Sequence, residues 1–268
     1  VSVGLEGRGI VVTGGGSGIG AATCRLLSLK GVRVGVLDRD AESAEEVAAE
    51  IGGLALPCDV ADSEAVDAAL ARADAELGGL SGLVNNAGVG NLKPFEDYTD
   101  RDVELIWRVN VFGTYACLRA AVPFLRAAAE QRGAPSSAVN MASVSGLRPT
   151  RGEAPYSAAK AATVALTKSA ALEWAPAVRV NCVSPGFIHT PLNDVLVSDP
   201  EGRRGIEERT PMGRVGSAPE TASLIAFLLS DETGYITGQN VVIDGGTMLP
   251  NEQMDPVLGP LLEMFGGS

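Results

Sequence analysis

Tyr156 and Lys160 stand four residues apart inside a helical pattern over 156–174, so a phenol and an ammonium share one helix face. An unperturbed phenol titrates at about pH 10, too high for an efficient base near neutrality. One cation about 5 Å away, at an effective dielectric of about 20, favours phenolate by about 3 kcal/mol, or about two pKa units. The pair is therefore expected to present a lowered phenol, able to take a proton from an alcohol or return one to a forming alkoxide. A Tyr-x-x-x-Lys pair also occurs on ordinary helices, so its reading depends on the company it keeps.

That company begins near the amino terminus. A short apolar run ends at Thr13, and Gly14, Gly15, Gly16, Ser17, Gly18, Ile19 and Gly20 lead into a helix-forming run from Ala21. Glycines in this order let backbone N–H groups approach a pyrophosphate, and the positive end of the following helix attracts its charge. Asp38 closes the second apolar run, eighteen positions beyond Gly20, where a carboxylate can accept hydrogen bonds from adenosine ribose hydroxyls and repel a 2′-phosphate. Arg39 is the counter-signal, since a guanidinium pairs with such a phosphate. With no basic residue at Ser17 to reinforce it, the balance favours NAD over NADP. An oxidised nicotinamide beside Tyr156 would push its phenol in the same direction as Lys160.

The elements that must position these groups alternate along the chain. Apolar runs at 9–13, 32–37, 54–57, 80–85, 137–142, 178–183 and 240–243 read as seven strands, and 41–51, 63–77, 101–130 and 156–174 carry apolar residues at helical spacing. Alternation of this kind predicts an α/β fold, a doubly wound seven-stranded parallel sheet (Rossmann fold) in three layers. Ser143 then falls on the loop leaving the fifth strand, at the carboxyl edge where open sheets bind ligands, and its hydroxyl can hold a substrate oxygen. No repeat or linker divides the sequence, so 1–268 is read as one dinucleotide-binding and catalytic domain. Residues 187–216, rich in Pro and Gly, read as a long, loosely organised lid-like loop, and 249–268 as an apolar tail that caps a neighbouring subunit.

Composition narrows the function. With 46% hydrophobic residues a sizeable core is available, and 33 glycines with only 4% aromatics suit close packing of strands and helices. A net charge of −12 without a dense Lys/Arg run argues against nucleic acid and anionic membranes as partners. Cys24, Cys58, Cys117 and Cys182 lack metal or redox spacing, and no apolar stretch reaches about 18 residues, so a metal-free cytoplasmic protein is expected.

Taken together the motifs resemble the short-chain dehydrogenase/reductase family over about residues 5–246: Gly14, Gly18 and Gly20; Asp59-Val60; Asn85-Asn86-Ala87-Gly88; Asn110; Ser143; Tyr156 with Lys160; and Pro185-Gly186 with Ile188 and Thr190. The resemblance implies that Asp59 bonds the adenine amino group beside Val60, and that Asn86, Ala87 and Gly88 pack along the adenosine. Ile188 and Thr190 would hold the nicotinamide carboxamide, with Pro185 and Gly186 shaping the backbone near the ring, and the resemblance gives 187–216 the place of a substrate loop. It gives Asn110 the task of ordering a water that links Lys160 to solvent, completing a path Ser143–Tyr156–Lys160–Asn110. It also implies a homotetramer, with a dimer second, built through the helices at 101–130 and 156–174.

The resulting expectation is an NAD-dependent oxidoreductase acting on a secondary alcohol or its ketone. An NADPH-dependent ketoacyl-type reductase is the first rival, disfavoured by Asp38 and by the acidic surface. A non-catalytic dinucleotide sensor is the second, disfavoured by the presence of all four catalytic residue types. His189, the one histidine, reads as a loop side chain near the cofactor, Arg148 and Arg151 as solvated loop residues, and Glu153 as close to the site with its orientation open. Trp107 and Trp174 read as packing residues.

Overall fold

The computed structural model describes residues 4–191, 194–249, 255, 258 and 260. Strand β1 (Gly9–Thr13) is buried along its whole length, as expected of a Val-rich strand with helices on both sides. Its side chains divide by period two: Val11 joins one apolar cluster, while Ile10 and Val12 join the other. The first cluster takes in α3 (Ser63–Glu76) through Val66 and Leu70, and α5 (Thr114–Arg132) through Ala121 and Leu125. The second takes in α1 (Gly18–Leu29), α2 (Ala41–Ile51) and α9 (Ala218–Leu229) through Leu27, Val47 and Ile225. Three layers follow from that alternation.

Seven strands pair in parallel in the order β3-β2-β1-β4-β5-β6-β9, with β2 at Arg33–Asp38, β3 at Leu54–Pro57, β4 at Leu80–Asn85, β5 at Ser136–Met141, β6 at Val178–Pro185 and β9 at Asn240–Ile243. The sheet is the one expected, with boundaries moved by one or two residues. Its order reverses between β1 and β4, and the carboxyl ends of strands at such a switch point open a crevice for ligands. Thr13 and Asn85 stand paired at that edge. There the Thr13 hydroxyl accepts from the N–H groups of Asn86 and Ala87, both at 3.0 Å, tying the loop after β4 to the glycine turn.

Two expectations about the elements are corrected. The single helix expected over 101–130 is α4 (Asp100–Trp107), a π-helical turn (Arg108–Gly113) and α5. Hydrophobic spacing cannot register the one-residue slip of a π turn, and such turns gather at functional sites. The segment after β6 is also better organised than a loose loop: β7 (Ile188–His189) pairs in parallel with β8 (Gly216–Ser217), and α7 (Asp194–Val197) and α8 (Pro200–Glu208) lie between them. Asp199 caps α8 by accepting from the Gly202 N–H at 2.7 Å, a local signal that the Pro/Gly content masked. Helix α6 (Ala154–Trp174) completes the set.

At the opposite, amino-terminal edge, Arg8 is 4% exposed and donates to the Ser81 carbonyl and to the Leu229 carbonyl at the end of α9, both at 2.7 Å. Arg179 does the same for Leu228 and Ser230. Asp231 supplies the countercharge, 3.0 Å from Arg132 and 3.7 Å from Arg8. Among the described residues no helix is long and apolar enough to cross a membrane. Most of the tail over 249–268 lies outside the described residues.

Candidate active site

Two adjoining clefts run along the carboxyl edge of the sheet. The first, about 410 Å³, is walled by Gly14, Ser17, Gly18 and Ile19 from the glycine turn, Asp38 and Arg39 from the end of β2, Asp59 and Val60 after β3, and Asn86, Ala87 and Gly88 after β4. Helix α1 begins here with Ser17 at its N-cap, no side chain capping it and no acid in its first turn. Asp40 and Asp62 cap α2 and α3, so the open end of α1 is the exception among these helices and suits an anion. Gly14 has φ +62°, and a Cβ there would lie 2.9 Å from the Ala87 Cα, closing the turn against the β4 loop. Gly20 is buried under the turn and lines neither cleft; a Cβ on it would drive into the Gly14 carbonyl, so its part is packing.

Asp38 is fixed at the rim of this cleft. One of its oxygens accepts from the Gly16 N–H at 3.0 Å and the other from the Asp40 N–H at 3.1 Å. Asp59 accepts from the Ala61 N–H at 2.9 Å. An uncapped helix end, a turn with no room for side chains and an anchored carboxylate eighteen positions past Gly20 fit a dinucleotide.

The second cleft, about 390 Å³, shares Ile19, Asn86, Gly88 and Thr190 with the first and holds Ser143, Tyr156, Lys160, Pro185, Gly186 and Ile188. Ser143 starts the turn after β5, where its hydroxyl accepts from the Ser145 N–H at 3.1 Å and lines the same cleft as Tyr156. Lys160 lies on the same side of α6 as Tyr156, its Nζ 5.5 Å from the centre of the phenol ring and donating to the Met141 carbonyl at 2.8 Å.

The electrostatics correct one expectation. The Tyr156 phenol is pushed above its ordinary value, first by burial and then by the charge of Glu153, with the Ser143 hydrogen bond pulling the other way. Burial also lowers Lys160, from 10.5 to about 8. A Coulomb estimate between two partners omits what both lose on leaving water, and here that loss is the larger effect.

Asn110 sits in the π turn behind Gly88. Its Nδ2 donates to the carbonyls of Val89 at 2.7 Å and Ile106 at 2.8 Å, while its Oδ1 is buried without a protein partner. His189 lines neither cleft and stands 3.7 Å from Asp194. Arg148 donates to the Thr247 carbonyl at 2.9 Å, so it ties down the segment after β9. Trp174 packs against the first apolar cluster.

Sequence reasoning placed no role on Ser145 and Thr150, which line the second cleft, and left Glu153 without one. The Ser145 hydroxyl donates to Glu153 at 2.8 Å and lies 3.2 Å from the Thr150 hydroxyl. Their closeness to Tyr156 in sequence was the available signal.

Residues 14–248 match the family profile described as enoyl-(acyl carrier protein) reductase. Among curated proteins, a tropinone reductase homolog of Arabidopsis thaliana is 37% identical over 259 residues, covering 94% of each chain. The 3beta-hydroxysteroid dehydrogenase 1 of Eggerthella lenta is 37% identical over 258 residues, covering 93% of this chain and 97% of the relative. Among solved structures, a 3-ketoacyl-(acyl-carrier-protein) reductase from Brucella melitensis complexed with NADH superposes with a TM-score of 0.85 at 34% identity, over 91% of this chain and all of that one. With that extent of sequence likeness over this sheet order, the chain belongs to the short-chain dehydrogenase/reductase family of oxidoreductases, which bind a nicotinamide dinucleotide.

Proposed function

We propose that the protein is an NAD-dependent dehydrogenase/reductase that interconverts a secondary alcohol and its ketone, with Tyr156 as the acid/base. The observation that carries this reading is the Tyr156 phenol, beside Ser143 and flanked by Lys160, in a cleft that shares residues with the glycine-turn cleft. A bound nicotinamide supplies or accepts the hydride. In oxidation Tyr156 takes the hydroxyl proton of the alcohol, and in reduction it returns one to the forming alkoxide. Ser143 orients the reacting oxygen. Lys160 faces the phenol ring and stabilises phenolate as its proton leaves, a contribution that strengthens as water is excluded.

Asp38 supports NAD, since an anchored carboxylate at the ribose end of the cleft accepts from hydroxyls and repels a 2′-phosphate. In this reading Asp59 and Val60 face the adenine, Asn86, Ala87 and Gly88 the adenosine, and Pro185, Gly186, Ile188 and Thr190 the nicotinamide. The alcohol- and ketone-converting relatives support the reaction class. Exposed Phe112 and Tyr115 near the start of α5 and Leu172 on α6 support assembly through those helices as a homotetramer, with a dimer as second choice.

Tyr156→Phe tests the assignment. The variant is expected to fold and bind NADH while losing about 10²- to 10⁴-fold in turnover, the usual worth of positioned proton transfer. Turnover near that of the unaltered protein would overturn it.

A further inference from the structure

Glu153 occupies the N-cap position of α6 yet its side chain caps nothing, unlike Asp40, Asp62 and Thr99 at the starts of α2, α3 and α4. It turns instead to the wall of the Tyr156 cleft. Among the described residues no cation stands within ion-pair distance of it, and the Ser145 hydroxyl is the sole side-chain donor to its carboxylate. Counting protons fixes the polarity of this wall. A hydroxyl has one proton, and Ser145 gives its own to Glu153; across the 3.2 Å contact the donor must then be Thr150. The chain Thr150→Ser145→Glu153 consumes both hydroxyl protons of this wall, so the wall offers the cleft only lone pairs, chiefly on the second Glu153 oxygen.

We propose that Glu153, held by Ser145 and Thr150, is a recognition subsite for a hydrogen-bond donor on the substrate, remote from its reacting carbinol. The substrate class is then a secondary alcohol or ketone carrying a second hydroxyl or an ammonium group, and substrates with a carboxylate at that position are rejected. This rests on the reading of Tyr156 given above. Leu92, Val144 and Phe187 line the same cleft and supply the apolar surface for the carbon skeleton between the two polar ends. Carboxylate acceptors form the stronger class of hydrogen bond, and a substrate carboxylate brought against Glu153 is repelled by its charge, so the subsite discriminates by repulsion as well as attraction.

The test uses the full chain with NAD and four ring alcohols of one size: cyclohexanol, cyclohexanediol, aminocyclohexanol and hydroxycyclohexanecarboxylate. The diol or the amino alcohol is expected to exceed cyclohexanol by about tenfold or more in kcat/KM, and the carboxylate to fall below it. Glu153→Ala should collapse these ratios towards one. Glu153→Gln separates the two donors, since its neutral amide oxygen still accepts from a hydroxyl but no longer attracts an ammonium. Because the Glu153 charge raises the Tyr156 phenol, Glu153→Gln should also move the acid limb of the oxidative pH profile downward, which loss of packing alone would not do. Ratios that survive Glu153→Ala overturn the proposal. Calorimetric binding of the same four compounds to the NADH-loaded protein reads the subsite independently of turnover, so tight diol binding without reaction would sink the Tyr156 reading alone, whereas equal binding of all four would sink the subsite.

Discussion

The Asn110 Oδ1 and the Lys160 Nζ converge on Gly88: a Cβ built there would lie 2.8 Å from the first and 3.3 Å from the second. Neither group is brought there by the helix pattern alone. The π turn carries Asn110 inward, the two carbonyls of Val89 and Ile106 hold its Nδ2, and the absence of a side chain at position 88 keeps the space between the two groups clear.

Asn110→Ala should therefore slow turnover without preventing NADH binding. Its unpaired Oδ1 is the acceptor that faces the lysine, and in the proton path that the family resemblance implies, losing it would disturb proton delivery while removing no group from the reacting centre. A fall of about tenfold or more is expected, smaller than for Tyr156→Phe because in that path the residue would act only through Lys160. Gly88→Ala should mimic it by filling the space. An enlarged solvent isotope effect on kcat in Asn110→Ala would mark proton transfer as the affected step, and an unchanged kcat would remove Asn110 from the path.

Lys160→Met deletes the charge and nearly conserves volume, so it separates catalysis from folding. Turnover should drop steeply. Stability should respond with a definite pH trend: burial lowers the Lys160 pKa to about 8 from 10.5, so below about pH 8 the native protein bears the full cost of a buried cation, and that cost fades as pH rises towards 10.5. The Tm of Lys160→Met relative to the unaltered protein should accordingly be most favourable near pH 7 and decline across that window. A difference constant from pH 7 to about 10 would mean that the ammonium is not desolvated.

Sheet and glycine turn were legible in the sequence because buried parallel strands and a strand–glycine–helix turn are local patterns. The seven apolar runs and the position of Asp38 at the end of β2 carried directly into the structure. What was not legible depended on groups distant in sequence or on backbone detail. The π turn at Asn110 leaves the composition of its helix unchanged, and the two helices between β7 and β8 are short and marked mainly by a cap. The phenol at Tyr156 was placed correctly on its helix face, but the sign of its shift turns on burial and on Glu153, neither of which the Tyr-x-x-x-Lys spacing contains.

Asp231→Ala probes the end of the sheet farthest from the clefts. The carboxylate stands between Arg132 and the buried Arg8, and its loss leaves the arginines at that edge without their countercharge. Removing one member of such a pair costs about 1–3 kcal/mol, and in a protein of this size each kcal/mol lowers Tm by about 2–4 °C. Turnover per folded molecule should be unaffected. A variant as stable as the unaltered protein would show that the backbone carbonyls alone satisfy Arg8.

Asp38→Asn addresses the cofactor while preserving the shape of the rim. The Gly16 and Asp40 N–H groups can still be accepted by the amide oxygen in part, so the turn should hold, but the negative charge that opposes a 2′-phosphate is gone. Two like charges about 5 Å apart at an effective dielectric between about 20 and 80 repel by about 1–3 kcal/mol, so the ratio of kcat/KM for NADPH to that for NADH should rise by about tenfold or more. Arg39, on the same rim, can pair with the phosphate once the carboxylate that repels it is gone, and adding Arg39→Ala should reverse part of the gain. If the unaltered protein already uses NADPH as well as NADH, Asp38 does not select the cofactor, and the first rival, an NADPH-dependent ketone reductase, takes its place.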